Sequence, residues 1–536
     1  MKAMTGVLPL GLIFVAPLVF SVLFMLPDFT DFAAFQAFFA HPQFAGALAL
    51  TLFTGITSTA LSIVLALIIA ARLHRKAMSH AGMMLALPHL ALAVGLAFMI
   101  APTGLIARAI ATLVTGWTTP PPWITTQDPL GLGLIAALLL KETPFLLWAL
   151  ASQLNRDDLK QAFSGQAAVA RSIGHGPRAI WLKLLLPQLL PRMVWPMIAV
   201  FAYGMTVVDM ALVIGPAQPP TLAALIWTDI NDGDIASNAR GAAGVLMLSA
   251  LTLFLLLVVW FLLRLSAPLV RCYYRRYPTE ETTHIAFSGP LWAAWRLCYL
   301  MIGLALVLQS FSGHWPFPQL LASHLSVAAW QRLFADGNAV FTSLWLGLAT
   351  TALALVASLV WLETQKPSRD RFVLTACIAA LCLPALVIGL GQYRLLLAFG
   401  LTGTAFGLFF AHMLPVAAYV FVMLHGPYRG FDPRWRSVSA GLTGKPMNFL
   451  LLAKWPMLKA PLMASAAVGF AVSMAQYVPA QLAAAGRYST LPMEAVTLSS
   501  GGNRTLIAVH ALALMLLPLL AFFAAARFGK PRWDMP

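Results

Sequence analysis

Residues Arg171-Ser172-Ile173-Gly174, followed by Leu186-Pro187, have a counterpart about 270 residues later in Leu442-Thr443-Gly444 and Trp455-Pro456. Each copy is a polar stretch set between long apolar runs. A loop that recurs in altered form within a recurring apolar framework implies two related halves, and the fold is read from that premise.

The framework belongs in a membrane. Of 536 residues, 60% are hydrophobic and only 10% are charged, whereas a soluble domain carries about 25% charged residues. A hydrocarbon core of about 30 Å needs roughly 20 apolar residues per helix. Twelve runs meet that length: about 7–26, 45–71, 82–101, 130–151, 193–214, 241–263, 291–311, 340–362, 372–398, 403–425, 459–480 and 505–526. They exceed the roughly ten alternating residues of a membrane strand. The expected fold is an all-α polytopic membrane protein of about twelve membrane helices. The first run is long for a signal peptide and no small-x-small cleavage site follows Leu26, so it is read as a retained helix.

The net charge of +16 would suit a nucleic-acid partner, but its placement argues for topology instead. In the twelve-span reading, 27 of the 34 Lys and Arg fall in the tails and in the loops 72–80, 152–192, 264–296, 363–371 and 426–459. The remaining loops hold only Arg108, Arg240, Arg332, Arg487 and Arg504, and the spans hold Lys141 and Arg394. The positive-inside rule then places both termini in the cytoplasm. Four cysteines, Cys272, Cys298, Cys377 and Cys382, avoid the outer loops and lack metal-ligand spacing, so neither disulfide nor metal is expected.

The repeat can be traced in detail. Thr57-Ser58-Thr59-Ala60-Leu61 matches Ala349-Thr350-Thr351-Ala352-Leu353 at an offset of 292, as Gly55 matches Gly347. Ala93-Val94-Gly95-Leu96 matches Val387-Ile388-Gly389-Leu390 at 294. The offset falls to 271 where Lys141-Glu142-Thr143-Pro144 faces His412-Met413-Leu414-Pro415, and then to 269 for Phe201 and Phe470 and for Thr221-Leu222 and Thr490-Leu491. The fall fits extra material in the loop 102–129, whose Thr119-Pro120-Pro121-Pro122 run cannot be helical. Each half holds six spans, giving parallel repeats over 1–265 and 291–536 with a linker at 266–290. In transporters of this symmetry the substrate path lies between the halves.

The loop 152–192 exceeds a simple turn. Gln161 to Ser172 reads as a helix with small residues along it, Gly174 and Gly176-Pro177 break it, and Arg178 to Leu186 forms a second short helix. The plain alternative, an amphipathic linker on the membrane surface, does not account for its recurrence. Gly174 and Leu186-Pro187 resemble the E-A-A-x3-G-x9-I-x-L-P loop of permease subunits in binding-protein-dependent ABC importers. Aligned on the glycine, Ala168, Val169 and Ala170 fill the E-A-A positions and Leu184 the Ile position, with Pro187 closing the motif. The second copy supplies Val438, Ser439, Ala440, Gly444 and Pro456, one residue shorter between glycine and proline. Both copies lack the motif glutamate.

The layout of two halves in one chain resembles the fused permeases of thiamine and ferric-iron importers. The resemblance implies a type I importer permease in a bacterial cytoplasmic membrane, with loops that seat in two copies of a separate ABC ATPase and a periplasmic solute-binding protein delivering the cargo. The second copy is the more degenerate, and the sequence leaves open whether the two loops engage equally. No nucleotide site is expected here: Gly441-Leu442-Thr443-Gly444-Lys445-Pro446 lacks the spacing and the Ser or Thr of a phosphate loop, so ATP and Mg²⁺ belong to the partner.

Ionisable groups within spans cost at least about 2.5–3.5 kcal/mol on insertion scales, so each marks a function or a pairing. Lys141 and Glu142, before Pro144, and His412, before Pro415, either line the path or pair between helices. Tyr203 and Asp209, and Gln476 and Tyr477 in the other half, are candidates for the same path. Arg394 reads as a snorkelling side chain or a binding-protein contact, and Asp229, Asp232, Asp234 and Gly501-Gly502-Asn503-Arg504 as solvated outer loops that touch that protein. Glu142 and Asp209 favour a cation such as thiamine, a polyamine or ferric ion; Lys141 and Arg394 favour an anion equally. Thiamine-like solutes lead on the fused layout alone.

Two rivals differ in class. A major-facilitator transporter calls for a glycine-rich charged signature where this chain has Arg72-Leu73-His74-Arg75-Lys76. A membrane enzyme calls for a cluster of catalytic polar residues, and no such motif occurs.

Overall fold

The computed structural model describes residues 8–71, 81–154, 157–275, 288–437 and 446–529. Within them the first half comprises α1 (Leu8–Leu23), α2 (Phe44–Ala70), α3 (His89–Ile100), α4 (Leu132–Leu154), α5 (Asp157–Ser172), α6 (Val194–Thr206), α7 (Leu222–Ile230) and α8 (Ile235–Arg275). The second comprises α9 (Ser288–Ser310), α10 (Asn338–Thr364), α11 (Asp370–Cys382), α12 (Ala385–Ala398), α13 (Ala405–Arg429), α14 (Lys459–Met474), α15 (Leu491–Ser500) and α16 (Arg504–Phe528). Short connecting helices lie between them. Helices suit the composition because hydrocarbon offers no partner for an unpaired backbone group.

Among the described residues nine helices are long and apolar enough to cross a membrane, and twelve segments qualify if three bent pairs each count as one. The bends correct three of the twelve runs. Run 372–398 is two helices meeting at 105°, because Leu383 is extended ahead of Pro384. Runs 193–214 and 459–480 are each preceded by a short helix, at 65° and 72°, and each stops early. α6 ends at Thr206 and a new helix begins at Asp209; α14 ends at Met474 and a new helix begins at Val478. The two breaks share one geometry, with Val208 at φ −106, ψ −57 and Tyr477 at φ −106, ψ −62.

The repeat recurs as contacts. α2 packs on α4 and α6, as α10 packs on α13 and α14. A side chain at Gly55 would strike Met205, and one at Gly347 would strike Phe470 and Met474, so both crossings depend on a missing Cβ. Thr51 Oγ1 accepts the Leu222 N–H at 2.7 Å and caps α7; Ser343 Oγ accepts the Leu491 N–H at 2.9 Å and caps α15. Residues 51 and 343 differ by 292 and residues 222 and 491 by 269, the two offsets of the sequence repeat meeting in one hydrogen bond.

The leading helices are exchanged. α1 packs on α10 to α13, with Phe14 and Phe421 ring centroids 5.0 Å apart and the Ser21 backbone against Gly391. α9 packs on α2 and α3 of the first half as well as on α16 of its own, with Ile302 and Leu306 against Gly95. Arg108, in the extra material of the first half, donates to the carbonyls of Trp315, Pro316 and Gln319 at 2.8–2.9 Å and lies 4.6 Å over the Trp315 ring.

Candidate functional site

The polar site grows from two prolines. Leu87-Pro88 ends a short helix at 81–85, and the carbonyls at such an end lack intrahelical donors. The buried Lys141 ammonium supplies them, donating to Leu85 O at 3.1 Å and to Leu87 O. Pro144 likewise deprives Leu140 O of its donor within α4, and the Tyr299 hydroxyl of α9 donates to it at 2.8 Å. Lys141 therefore ties α4 to the end of that short helix through two backbone oxygens.

Glu142 faces elsewhere. Its Oε1 lies 3.5 Å from His89 Nε2, the first residue of α3, and His89 stacks against Tyr203 with centroids 4.5 Å apart. The Tyr203 hydroxyl donates to Asp209 Oδ1 at 3.4 Å. Tyr203, Tyr299 and Tyr419 stand within electrostatic reach of Glu142, and Tyr477 within reach of Asp209. Tyr477 packs on Trp227 at 5.3 Å. Glu142, Tyr203 and Asp209 of the first half thus join Tyr419 and Tyr477 of the second in one acidic, aromatic region. Asp209 opens the helix after the α6 break rather than sitting within a continuous span.

The matching place in the second half is neutral. His412 Nδ1 lies 3.0 Å from Ser473 Oγ, and Gln476 Nε2 donates to His412 O at 3.1 Å. Lys141 and His412 pair between helices, one of the two readings the sequence allowed. His89, Trp227, Tyr299 and Tyr419 were missed by sequence reasoning. His89, a polar residue directly after Pro88 in an apolar run, was the available signal.

One expectation is overturned. Asp229 is not solvated: it lies in the buried helix α7 and binds Arg240 through both oxygens, at 2.6 and 2.9 Å. Arg394 pairs with Asp28 beyond α1. Gly501, Gly502, Asn503 and Arg504, all exposed, line a cavity of about 510 Å³ with Arg108 and Trp315.

The first polar loop is α5 and the short helices after it. Gly174, at φ +90, closes α5: its N–H binds Arg171 O at 3.1 Å and the His175 N–H binds Ala170 O at 3.0 Å. This Schellman arrangement needs a left-handed residue, which glycine adopts without strain. Ala170 is buried, Ala168 exposed and Pro187 half-buried, while Val169 and Ile173 stand 63% and 67% exposed beside the stop. Gln188 Nε2 donates to Gln166 Oε1 at 2.9 Å and ties the arms of the loop together. In the second loop Pro456 opens a helical turn at Trp455–Met457, with Met447 and Leu452 exposed. Ser439, Ala440 and Gly444 lie outside the described residues.

Among the described residues no group of three His, Cys, Asp or Glu could hold a metal ion. No protein-family profile matches the chain. It is 31% identical over 520 residues to the inner membrane ABC transporter permease protein YnjC of Escherichia coli strain K12, across 96% of this chain and 94% of that protein.

Proposed function

The chain belongs to the ABC transporter permeases of the inner membrane, and from that premise we propose that it is the fused permease of a binding-protein-dependent importer. As a permease it is a multi-pass transport subunit that works with an ATPase. Two copies of that ATPase dock on the two polar loops, one on each half, with ATP and Mg²⁺ held by the partner. Both termini are cytoplasmic. A periplasmic binding protein meets the opposite face, where the cavity at Arg108 and Arg504 offers a polar seat. The solute is thiamine-like, on the fused layout.

The observation that carries the reading is α5. A helix closed by a Schellman turn and presenting exposed Val169 and Ile173 offers a short apolar knob suited to a partner's groove. Nucleotide binding draws the ATPases together, the loops follow, and the halves shift between inward-open and outward-open arrangements. The free energy for that shift comes from the differential affinity of nucleotide for the two states. The solute then passes the region of Glu142, Tyr203, Asp209 and Tyr477. Lys141 and His412 support that region by fixing helices α4 and α13.

The test is co-purification with the candidate ATPase, with ATP turnover compared between the native chain and the Gly174→Pro and Gly444→Pro variants. A stable native complex whose turnover falls in folded variants supports the reading. Failure to bind an ATPase, together with uptake driven by a proton or sodium gradient, overturns it.

A further inference from the structure

The second polar loop is fastened to its half by a built polar junction. Lys454, the last residue of the short helix Phe449–Lys454, donates from Nζ to Glu363 Oε2 at 2.7 Å and lies 3.8 Å over the Tyr428 ring. Tyr428 donates its hydroxyl to the same carboxylate oxygen at 2.9 Å and accepts from Trp455 Nε1 at 3.4 Å. Glu363 stands at the end of α10 and Tyr428 at the end of α13. One residue beyond Tyr428, Arg429 grips buried Asp370 through both oxygens at 2.6 and 2.9 Å, and reaches Gln365 O at 2.9 Å. His425 at 3.2 Å and Trp361 Nε1 at 3.1 Å complete the shell of Asp370.

The ends of α10, α11 and α13 are therefore locked to one another through Asp370, and the loop is locked to them through Glu363. We propose that the Glu363–Lys454–Tyr428 junction is the link through which movement of the second loop is passed to the second half. The inference rests on the ATPase-docking reading above. These are positioning residues, since each acts through the helix it holds.

Charge-assisted bonds suit this task. The Glu363 and Lys454 side chains are 23% and 12% exposed, so water competes weakly, and a shared carboxylate fixes distance and direction together. A purely apolar contact would slide. At the repeat offsets of 292 and 269, Ala71 and Leu185 stand where Glu363 and Lys454 do, so those two positions of the first half do not repeat this pair.

The experiment follows amide hydrogen exchange in the full chain bound to its ATPase, with and without ATP and vanadate. It compares native protein, Glu363→Gln, Lys454→Met, Lys454→Arg and the double variant Glu363→Lys with Lys454→Glu. In the native complex nucleotide is expected to change exchange at both α6–α7 and α14–α15. In Glu363→Gln and Lys454→Met the change at α14–α15 is expected to fall about fivefold or more, while that at α6–α7 persists. Lys454→Arg and the double variant are expected to keep or regain it. A merely structural role would raise exchange in both nucleotide states and leave their difference intact, and that result overturns the proposal. Equal loss in both halves also overturns it. A native complex with no nucleotide-driven change, or no complex, overturns the docking reading as well.

Discussion

Helices α4 and α13 occupy the same place in the two halves, and each holds a proline within it, yet they carry opposite chemistry. α4 buries a lysine and a glutamate just before Pro144, whereas α13 buries His412 before Pro415 and answers it with a serine and a glutamine. Around them the packing is the same twice over, down to the residue that caps the following buried helix. The duplicated contacts carry the architecture, and the side chains that differ carry whatever distinguishes one half from the other. Charge in the first half and neutrality in the second make the proposed path lopsided: Glu142 and Asp209, the acidic groups assigned to it, come from one side only.

The largest expected consequence lies at the lysine. Lys141→Met strands the carbonyls of Leu85 and Leu87, and each should cost about 1–3 kcal/mol when left buried and unpaired. His412→Leu, at the matching place, should cost about 0.6 kcal/mol, the mean worth of an interhelical hydrogen bond in a membrane. Thermal unfolding of the detergent-solubilised chain measures both, and equal losses would end the asymmetry. Next come the helix crossings: Gly55→Val and Gly347→Val should each cost about 1–3 kcal/mol and match each other closely. A large difference in unfolding midpoint would mean that the repeated packing is only superficial.

A transport effect follows in size. If the proposed thiamine-like solute is carried, Asp209→Asn should lower its ATP-driven uptake about tenfold, equivalent to about 1.4 kcal/mol. Val478→Ala, at the matching position of the neutral half, should leave uptake nearly unchanged; a loss there as large as at Asp209 would place the working surface on both sides. Small and matched effects belong to the paired caps. Thr51→Val and Ser343→Ala should each cost about 1 kcal/mol through the freed N–H of α7 or α15, read as a small and equal fall in unfolding midpoint.

The apolar runs were legible because membrane thickness imposes their length, and the repeat because enough small residues were kept at helix crossings. The breaks after Thr206 and Met474 were not, since Val207 and Val208 are as apolar as their neighbours and hydropathy passes over them. Pro384 and, just past the second break, Pro479 were the visible marks. Asp229 looked solvated because its partner, Arg240, lies eleven residues on, across a turn that sequence does not fold. Lys141 and Glu142 announced themselves through the cost of burying them. Their separate tasks depended on Leu87-Pro88 and His89, more than fifty residues upstream.

The exchanged helices α1 and α9 govern how the molecule can be made. α1 leaves the ribosome long before the residues it packs on, and Phe14 precedes Phe421 by about 400 residues. At about 5–20 residues per second, that interval is roughly 20–80 s. Through it α1 is held by lipid or by the insertion machinery, with the face meant for Gly391 and Phe421 still bare. A chain cut between the halves would leave α1 on one piece with its seat on the other, and α9 on the other piece with part of its seat on the first, each completed by the other. Assembly of this protein is closer to the clasping of two hands than to the folding of two beads on a string.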